Sequence, residues 1–257
     1  MRILLTNDDG IFAAGLYSLY CQFREQHEVF VVAPESEQSA VGHAITLSNP
    51  LRVKEVYRNG GFYGWAVSGT PADAVKIAVN ELLPSHPDLV ISGINLGPNV
   101  GINVLYSGTV SAATEAAFLG IPAMAISLDT YSNPDFGPAA VIAERLALSI
   151  PRLNLAQGVC LNVNVPALPL EKIKGSLFTR QATIPLRDKF EKRVDPRKRV
   201  YYWEAEDGFV ASAEPGTDIH TLRQGKISIT PIHYDLTHSE ALKLLKQQEA
   251  DFLKLSR

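Results

Sequence analysis

The sequence predicts an α/β protein in which helices cover both faces of a mostly parallel β-sheet. Two observations predict this fold class. Short runs rich in apolar and β-branched residues alternate with amphipathic helical patterns, and loops rich in carboxylates, asparagines and glycines follow several of these runs directly. Strands that alternate with helices of this length form βαβ units, whose crossovers put helices on both sides of a parallel sheet.

The predicted elements occupy the first two thirds of the chain. Strands are predicted at residues 2–6, 28–32, 88–91, 123–127 and 159–165. Helices are predicted at residues 14–26, 71–82, 110–119 and 139–149. The second helix has Thr70 as its expected N-cap and Pro71 at its first position, where the missing amide hydrogen has no intrahelical partner anyway.

The pattern changes after Pro166. Residues 180–199 hold eight basic and three acidic side chains, with short β-like pieces at residues 199–204 and 226–230, and residues 239–255 form an amphipathic helical pattern. We therefore expect one domain over residues 1–257. Its α/β core would cover residues 1–170, and residues 171–257 would project from the body as a hairpin and a C-terminal helix that build an oligomer.

Composition limits the partners and the compartment. The chain is 46% hydrophobic and 20% charged, with a formal charge of −3, so we expect no nucleic-acid polymer and no anionic membrane as partner. The N-terminus is a strand followed by carboxylates rather than a signal peptide, and the least polar stretch, residues 104–128, is interrupted by polar residues. These features predict a cytoplasmic protein that does not span a membrane.

Two adjacent carboxylates, Asp8 and Asp9, follow the first predicted strand directly, and Gly10 comes next. In an open parallel sheet, ligands bind beyond the carboxyl ends of the strands. A hard divalent cation such as Mg²⁺ prefers oxygen ligands and would offset the repulsion between the two charges. Taken alone, the pair fits equally well with one aspartate that caps the next helix and one that lies in solvent.

Three other loops follow predicted strands. Residues 34–46 are rich in side-chain oxygens and contain His43, while residues 68–75 could hold an anion or simply cap a helix. In the glycine-rich segment, residues 92–103, the pattern Gly-x-Asn occurs three times. Glycines let backbone amides approach a ligand, and the helix predicted after Ser107, Gly108 and Thr109 offers amides and a positive dipole end to a phosphate.

These motifs together resemble those of the SurE family, the survival-protein phosphatases also described as 5′/3′-nucleotidases. The segments that carry the resemblance are RILLTNDDGI, VVAPESEQSAVGHAIT, VSGTPADAV, PDLVISGINLGPNVGINVLYSGTVSAATEAAFLGIPAMAIS, LNVNVP and GTDIHTLRQGKISITPIHYDLT. They span most of the chain in the family's order. The resemblance implies a Rossmann-like core with a swapped hairpin and a C-terminal helix, and a homodimer or homotetramer that hydrolyses 5′- and 3′-nucleoside monophosphates to nucleoside and phosphate.

The resemblance also implies one divalent metal ion per subunit, Mg²⁺ or Mn²⁺. Its ligands would be Asp8, Asp9, Ser39 and Asn95. A metal at that place would bind a phosphate oxygen as a Lewis acid and lower the pKa of a bound water.

The remaining phosphoryl oxygens are expected at Asn95, Ser107, Gly108 and Thr109. His43 would donate a proton to the leaving alkoxide or hydrogen-bond the phosphate, unless it is a surface residue. The chain departs from the family at two positions, because Asn103 stands where an aspartate is expected and Ser111 where a glycine is expected. Both departures concern the local shape of the glycine-rich segment and the substrate preference.

Three other functions are compatible with parts of the sequence. An aspartyl-phosphate phosphatase would use Asp8 as a nucleophile, but that chemistry usually presents its carboxylates as Asp-x-Asp. A dinucleotide-binding oxidoreductase needs Gly-x-Gly-x-x-Gly after the first strand, where this chain has TNDDGI. A sensor that binds a nucleotide without hydrolysing it fits the same loops, and a metal-dependent phosphate-release assay separates it from an enzyme.

Overall fold

The structure is a computed structural model that describes residues 1–183, 188–206 and 213–252. The described strands are β1 Arg2–Thr6, β2 Glu28–Pro34, β3 Val53–Arg58, β4 Gly61–Val67, β5 Leu89–Leu96, β6 Ala123–Asp129, β7 Val159–Pro166, β8 Ser176–Phe178, β9 Asp188–Val194, β10 Val200–Glu206 and β11 Ile227–His233. The described α-helices are α1 Ala14–Phe23, α2 Pro71–Ile77, α3 Gly108–Phe118, α4 Gly137–Ala147, α5 Asp218–Arg223 and α6 Ser239–Phe252.

Within the described ranges, nine strands form one sheet in the order β3-β4-β2-β1-β5-β6-β7-β11-β8. The strands from β4 to β7 in that order pair in parallel, while β3 and β11 run antiparallel to their neighbours β4 and β7. One buried apolar cluster joins the sheet to α1 and α4, and a second joins it to α2 and α3. The mostly parallel α/β sheet with helices on both faces is therefore confirmed.

The predicted central elements are present with shifted ends. Strand β5 runs on to Leu96, so the glycine-rich segment begins inside the sheet, and α3 begins two residues earlier than predicted. Thr70 caps α2, because its Oγ1 accepts a hydrogen bond from the Asp73 amide at 3.1 Å. The predicted helix over residues 71–82 is divided into α2 and a wider π-helical turn, Ala78–Leu82.

The hairpin of β3 and β4 was not predicted from the sequence. Its turn is Asn59-Gly60, and both residues have positive φ, +54° and +80°. Two-residue hairpin turns of this kind favour Asn-Gly because both central positions need positive φ. The Asn-Gly dipeptide therefore indicates this hairpin in the sequence.

The prediction that residues 171–257 project from the main body is wrong for β8, α5 and β11. Strand β11 pairs with β7, and β8 pairs with β11, so both belong to the main sheet. Ile227 and Ile229 of β11 lie in the buried core. Without β11, the buried strand β7 would end the sheet with unpaired backbone groups. The sheet therefore extends beyond the expected core boundary at residue 170.

Strands β9 and β10 pair with each other in a separate antiparallel ribbon, as the predicted hairpin requires. The predicted C-terminal helix is present as α6, and the end of its predicted range, residues 253–255, lies outside the described residues. Of the helices that the structure describes, none has both the length and the apolar content needed to cross a membrane.

Candidate functional site

The two adjacent carboxylates lie at the carboxyl end of β1, which is a central strand of the sheet between β2 and β5. Gly10 has φ +97°, so the chain can turn sharply after Asp9 in a conformation that other residues rarely adopt. The Gln38 amide donates to the Asp8 carbonyl at 2.8 Å. This hydrogen bond connects the beginning of the loop of residues 35–46 to the backbone of Asp8.

Asp8 is buried, with 5% of its surface exposed, and receives the N-terminus of α3. The Thr109 hydroxyl donates to its Oδ1 at 2.5 Å, and hydrogen bonding from the backbone of Gly108 and Thr109 acts to lower the pKa of its carboxyl. A Cβ on Gly108 would lie 2.7 Å from the Asp8 Cβ, so the helix can come this close only with glycine there. Burial raises the pKa of Asp8, and these hydrogen bonds partly oppose that rise.

Asp9 lies between the loop of residues 35–46 and the end of β5. Its pKa is raised to about 7, chiefly by burial and then by the charges of Asp8 and Glu37, while a hydrogen bond from the Leu96 amide lowers it. Each of these raising effects penalises the ionised carboxylate. Burial and repulsion therefore disfavour the ionised forms of the two carboxylates, and a bound cation would offset both effects.

The residues at this place fit a hard divalent cation. Asn95 donates through Nδ2 to the Gly97 carbonyl at 2.7 Å, which leaves its side-chain oxygen to act as a ligand. Ser39 lies in the exposed part of its loop and donates to Glu37 Oε1 at 2.6 Å. In the part of the chain that the structure describes, no three His, Cys, Asp or Glu side chains are grouped to hold a metal. A cation held by Asp8 and Asp9 would therefore need neutral oxygens as well, which hard cations accept.

The start of α3 holds three of the residues that are predicted to bind phosphate, Ser107, Gly108 and Thr109. Ser107 Oγ accepts from the Val110 amide at 3.1 Å and so caps the helix. The Thr109 hydroxyl donates to Asp8 Oδ1, and hydrogen bonding from the backbone of Gly108 and Thr109 lowers the pKa of that carboxyl. A buried carboxylate competes strongly for helix N-terminal donors, because an ionised group without hydrogen bonds is costly to bury. The Ser107 hydroxyl still has its proton to donate.

His43 lies beside α3. Its Nε2 lies 2.7 Å from Glu115 Oε2, and its ring stacks on Phe118 with 5.1 Å between centroids. Glu115 is seven residues beyond Gly108 on α3, which corresponds to about 10 Å along the helix. The structure therefore places this predicted proton donor on a carboxylate of α3, and the amide of its neighbour Gly42 donates to the Tyr106 carbonyl at 2.9 Å, next to Ser107.

The supports of the glycine-rich segment were not predicted. The Asn99 amide donates to Asn164 Oδ1 at 2.8 Å, and Asn162 Nδ2 donates to the Asn99 carbonyl at 2.7 Å. The Gly101 amide donates to Asp218 Oδ2 at 2.8 Å. Asparagines inside the buried strand sequence LNVNVP were an available signal, because buried polar side chains are normally hydrogen-bonded.

The raised pKa of Asp9 has a consequence for the stability of the metal-free protein. In the unfolded chain this carboxyl titrates near pH 4, so its burial costs nothing below that pH and progressively more as the pH rises through about 7. With a chelator present, we expect Asp9→Asn to be more stable than the parent at pH 8, by on the order of a few kcal/mol, and this gain to vanish by pH 4. Thermal unfolding of both proteins across this range measures the difference, and a gain that is independent of pH would contradict it.

Comparison with known proteins gives concordant matches. The family model described as survival protein SurE matches residues 3–187. The chain is 54% identical to the 5′-nucleotidase SurE of Syntrophobacter fumaroxidans, over 95% of this chain and 98% of that protein. It is 52% identical to the 5′-nucleotidase SurE of Syntrophus aciditrophicus, over 100% of this chain and 98% of that one. The crystal structure of the SurE protein from Aquifex aeolicus is similar with a TM-score of 0.84 and 37% identity, over 97% of this chain and 100% of that chain.

Proposed function

The chain belongs to the SurE family, and from this premise we propose that it is a metal-dependent phosphomonoesterase that hydrolyses nucleoside monophosphates to nucleoside and phosphate. Relatives named 5′-nucleotidase match it over nearly their whole length. The observation that carries the proposal is the pair at the carboxyl end of β1, the buried Asp8 and the partly buried Asp9, whose desolvation and repulsion favour a bound cation. Acceptance of 3′-nucleotides stays a prediction from the resemblance.

Asp8, Asp9, Ser39 and Asn95 would hold one Mg²⁺ or Mn²⁺ per subunit. When bound, the ion would supply Lewis-acid stabilisation of a phosphate oxygen and a bound water of lowered pKa. The protein's part is to orient the carboxylates. The Thr109 hydroxyl fixes the direction of Asp8, and the backbone of Leu96 lies beside Asp9.

The phosphoryl group would lie beside Ser107. Its hydroxyl caps α3 as an acceptor and so keeps its proton for a phosphate oxygen. Asn95, Gly108 and Thr109 would bind the other phosphoryl oxygens, Gly108 and Thr109 through the N-terminus of α3. The positive end of the α3 dipole still favours a negative group at this place.

The test is phosphate release from adenosine monophosphate in Mg²⁺, in Mn²⁺ and with a chelator. We expect release with either metal and none with the chelator, with equilibrium binding of the nucleotide measured in parallel. A protein that binds the nucleotide in Mn²⁺ without releasing phosphate would be the sensor instead. Release that persists in the chelator would show that the reaction does not need a metal at Asp8 and Asp9.

His43 is better placed to hold the loop of residues 35–46 on α3, through Glu115, than to donate a proton. We expect His43→Ala to weaken Mn²⁺ binding about 10-fold, a typical effect of losing a residue that orients metal ligands. At saturating Mn²⁺ its kcat should be retained, and His43→Gln, which can still hydrogen-bond Glu115, should bind Mn²⁺ nearly as the parent does. Calorimetric titration and kcat at saturating metal measure this. A lowered kcat with unchanged Mn²⁺ affinity would restore His43 as the proton donor.

The C-terminal segment supports a homodimer or homotetramer. Side chains of the β9–β10 hairpin and of α6 are largely exposed in the single chain: Phe190, Val194, Tyr202, Trp203, Leu244 and Leu245. Apolar groups grouped in this way usually mark contact surfaces. The hairpin and helix are therefore the proposed assembly surfaces, and a cytoplasmic location without a nucleic-acid or membrane partner stays a prediction from composition.

Removing residues 188–206, with a short Gly-Ser linker in their place, should reduce the assembly state. The deletion spares residues 180–183, because Ala182 is buried and the Gln181 side chain donates to the Gly101 carbonyl at 2.7 Å. The main sheet should survive, since β8 and β11 lie outside the deletion. Light scattering measures the mass, and a truncated protein that keeps the parent's mass would show that the hairpin does not build the oligomer.

A further inference from the structure

The loop after β6 places an aromatic ring on the glycine-rich segment. A Cβ added to Gly97 would lie 2.4 Å from Cε1 of the Tyr131 ring and 3.0 Å from its Cδ1. Gly97 also has φ +103°, which other residues rarely adopt. The glycine thus lets the tyrosine ring lie directly on the backbone at the end of β5.

Gly97 is next to two of the proposed metal ligands. Its carbonyl accepts the hydrogen bond from the Asn95 side chain at 2.7 Å, and the backbone of its neighbour Leu96 lies near enough to Asp9 to lower the pKa of that carboxyl. The amide of Gly97 is itself fixed on the Leu128 carbonyl at 3.0 Å. The ring of Tyr131 is therefore held at the rim of the proposed phosphate-cleaving site by a short and well-anchored piece of backbone.

The ring is nevertheless largely open to solvent. Tyr131 is 66% exposed, and the side chain of Leu96 beside it is 39% exposed. In a nucleoside monophosphate the base and the phosphate lie at opposite ends of the ribose. A surface that receives the base should therefore lie beside the metal ligands without being one of them, and the Tyr131 ring meets this requirement.

We propose that Tyr131 is the platform on which the nucleobase of the substrate stacks while the phosphate lies at Asp8 and Asp9. This inference rests on the proposed function, and it adds the residue that distinguishes a nucleotide from another phosphate ester. Every base presents a π-face, so stacking accepts all of them and favours the larger purines. The platform explains recognition of a nucleoside without any base-specific hydrogen bond.

The decisive comparison is between a substrate with a base and one without. We expect Tyr131→Ala to lower kcat/KM for adenosine monophosphate about 5- to 100-fold, the usual effect of removing a ring that stacks on a base. Ribose 5-phosphate, which lacks the base, should be hydrolysed with an unchanged kcat/KM. Tyr131→Phe should retain the parent values for both substrates, because it keeps the ring.

A matched control is Tyr57→Ala, which removes a tyrosine of similar exposure, 62%, from β3. It should leave both substrates unaffected. An equal loss for both substrates in Tyr131→Ala would assign the ring to support of Gly97, and no loss for adenosine monophosphate would remove it from recognition. Either outcome overturns the proposal.

Binding of adenosine with a chelator present separates this inference from the proposed function. Calorimetry should show weaker adenosine binding by Tyr131→Ala than by the parent, whether or not the parent hydrolyses any phosphate ester. If the parent fails to release phosphate but shows this difference, the proposed function fails and the platform stands. If the two proteins bind adenosine equally well, the platform fails.

Discussion

Asp9→Asn should reduce phosphate release at least about 100-fold while the fold is retained, since loss of a metal ligand should exceed the effect of losing a residue that merely orients one. Asparagine has nearly the same shape as aspartate, so the loop after β1 should keep its conformation. What is lost is the negative charge. Asp8 alone would then have to hold a divalent ion with neutral oxygens.

Substitutions of the other three proposed ligands should reduce activity or metal binding to different extents. Asp8→Asn should be at least as damaging, because Asp8 also receives the Thr109 hydroxyl and the first amides of α3. Ser39→Ala and Asn95→Ala should weaken Mn²⁺ binding less, since each removes a neutral ligand. Phosphate release and calorimetric Mn²⁺ titration of each variant are the measurements. If Asp9→Asn binds Mn²⁺ as tightly as the parent and still turns over, the metal is not held at this pair.

Asp218→Ala should lower the free energy of unfolding by on the order of 3 kcal/mol or more, because each buried amide left without a partner costs about 1–3 kcal/mol. The Asp218 side chain is fully buried, and its two oxygens accept from the amides of Gly101, Ala182 and Ile219 at 2.8, 3.0 and 2.8 Å. One carboxylate thus joins three separate stretches of backbone. The glycine-rich segment should also lose one of its anchors.

Two control variants define the size of this effect. Asp218→Asn keeps one acceptor oxygen and should cost less than the alanine variant. Asp135→Ala removes an exposed carboxylate that accepts one amide, that of Gly137 at 3.0 Å, and should change stability little. Urea unfolding of the three variants gives the comparison. If Asp218→Ala unfolds at the same urea concentration as Asp135→Ala, the buried carboxylate does not hold the three segments together.

Local patterns were sufficient for the central parallel strands and the helices that cover them, but not for the places of β3, β4, β8 and β11 in the sheet. The repeat of short apolar runs and amphipathic helices predicted the parallel sheet, because backbone period and strand-end position are read within about ten residues. The same reasoning located Asp8 and Asp9 at the end of β1, and Thr70 at the start of α2. The Asn59-Gly60 turn is an equally local feature, although the hairpin that it forms was not predicted.

By itself, the sequence determined the fold class, the place of the two carboxylates at a strand end and, through the order of its motifs, the family. Only the tertiary structure decided which groups meet. It joins Thr109 to Asp8 across 101 residues, His43 to Glu115 across 72, and Gly101 to Asp218 across 117. These pairings hold Asp8 at the start of α3, His43 beside the same helix and the glycine-rich segment on α5. They depend on which donors and acceptors become buried and must then form a hydrogen bond. The spacing of residues along the sequence does not show this.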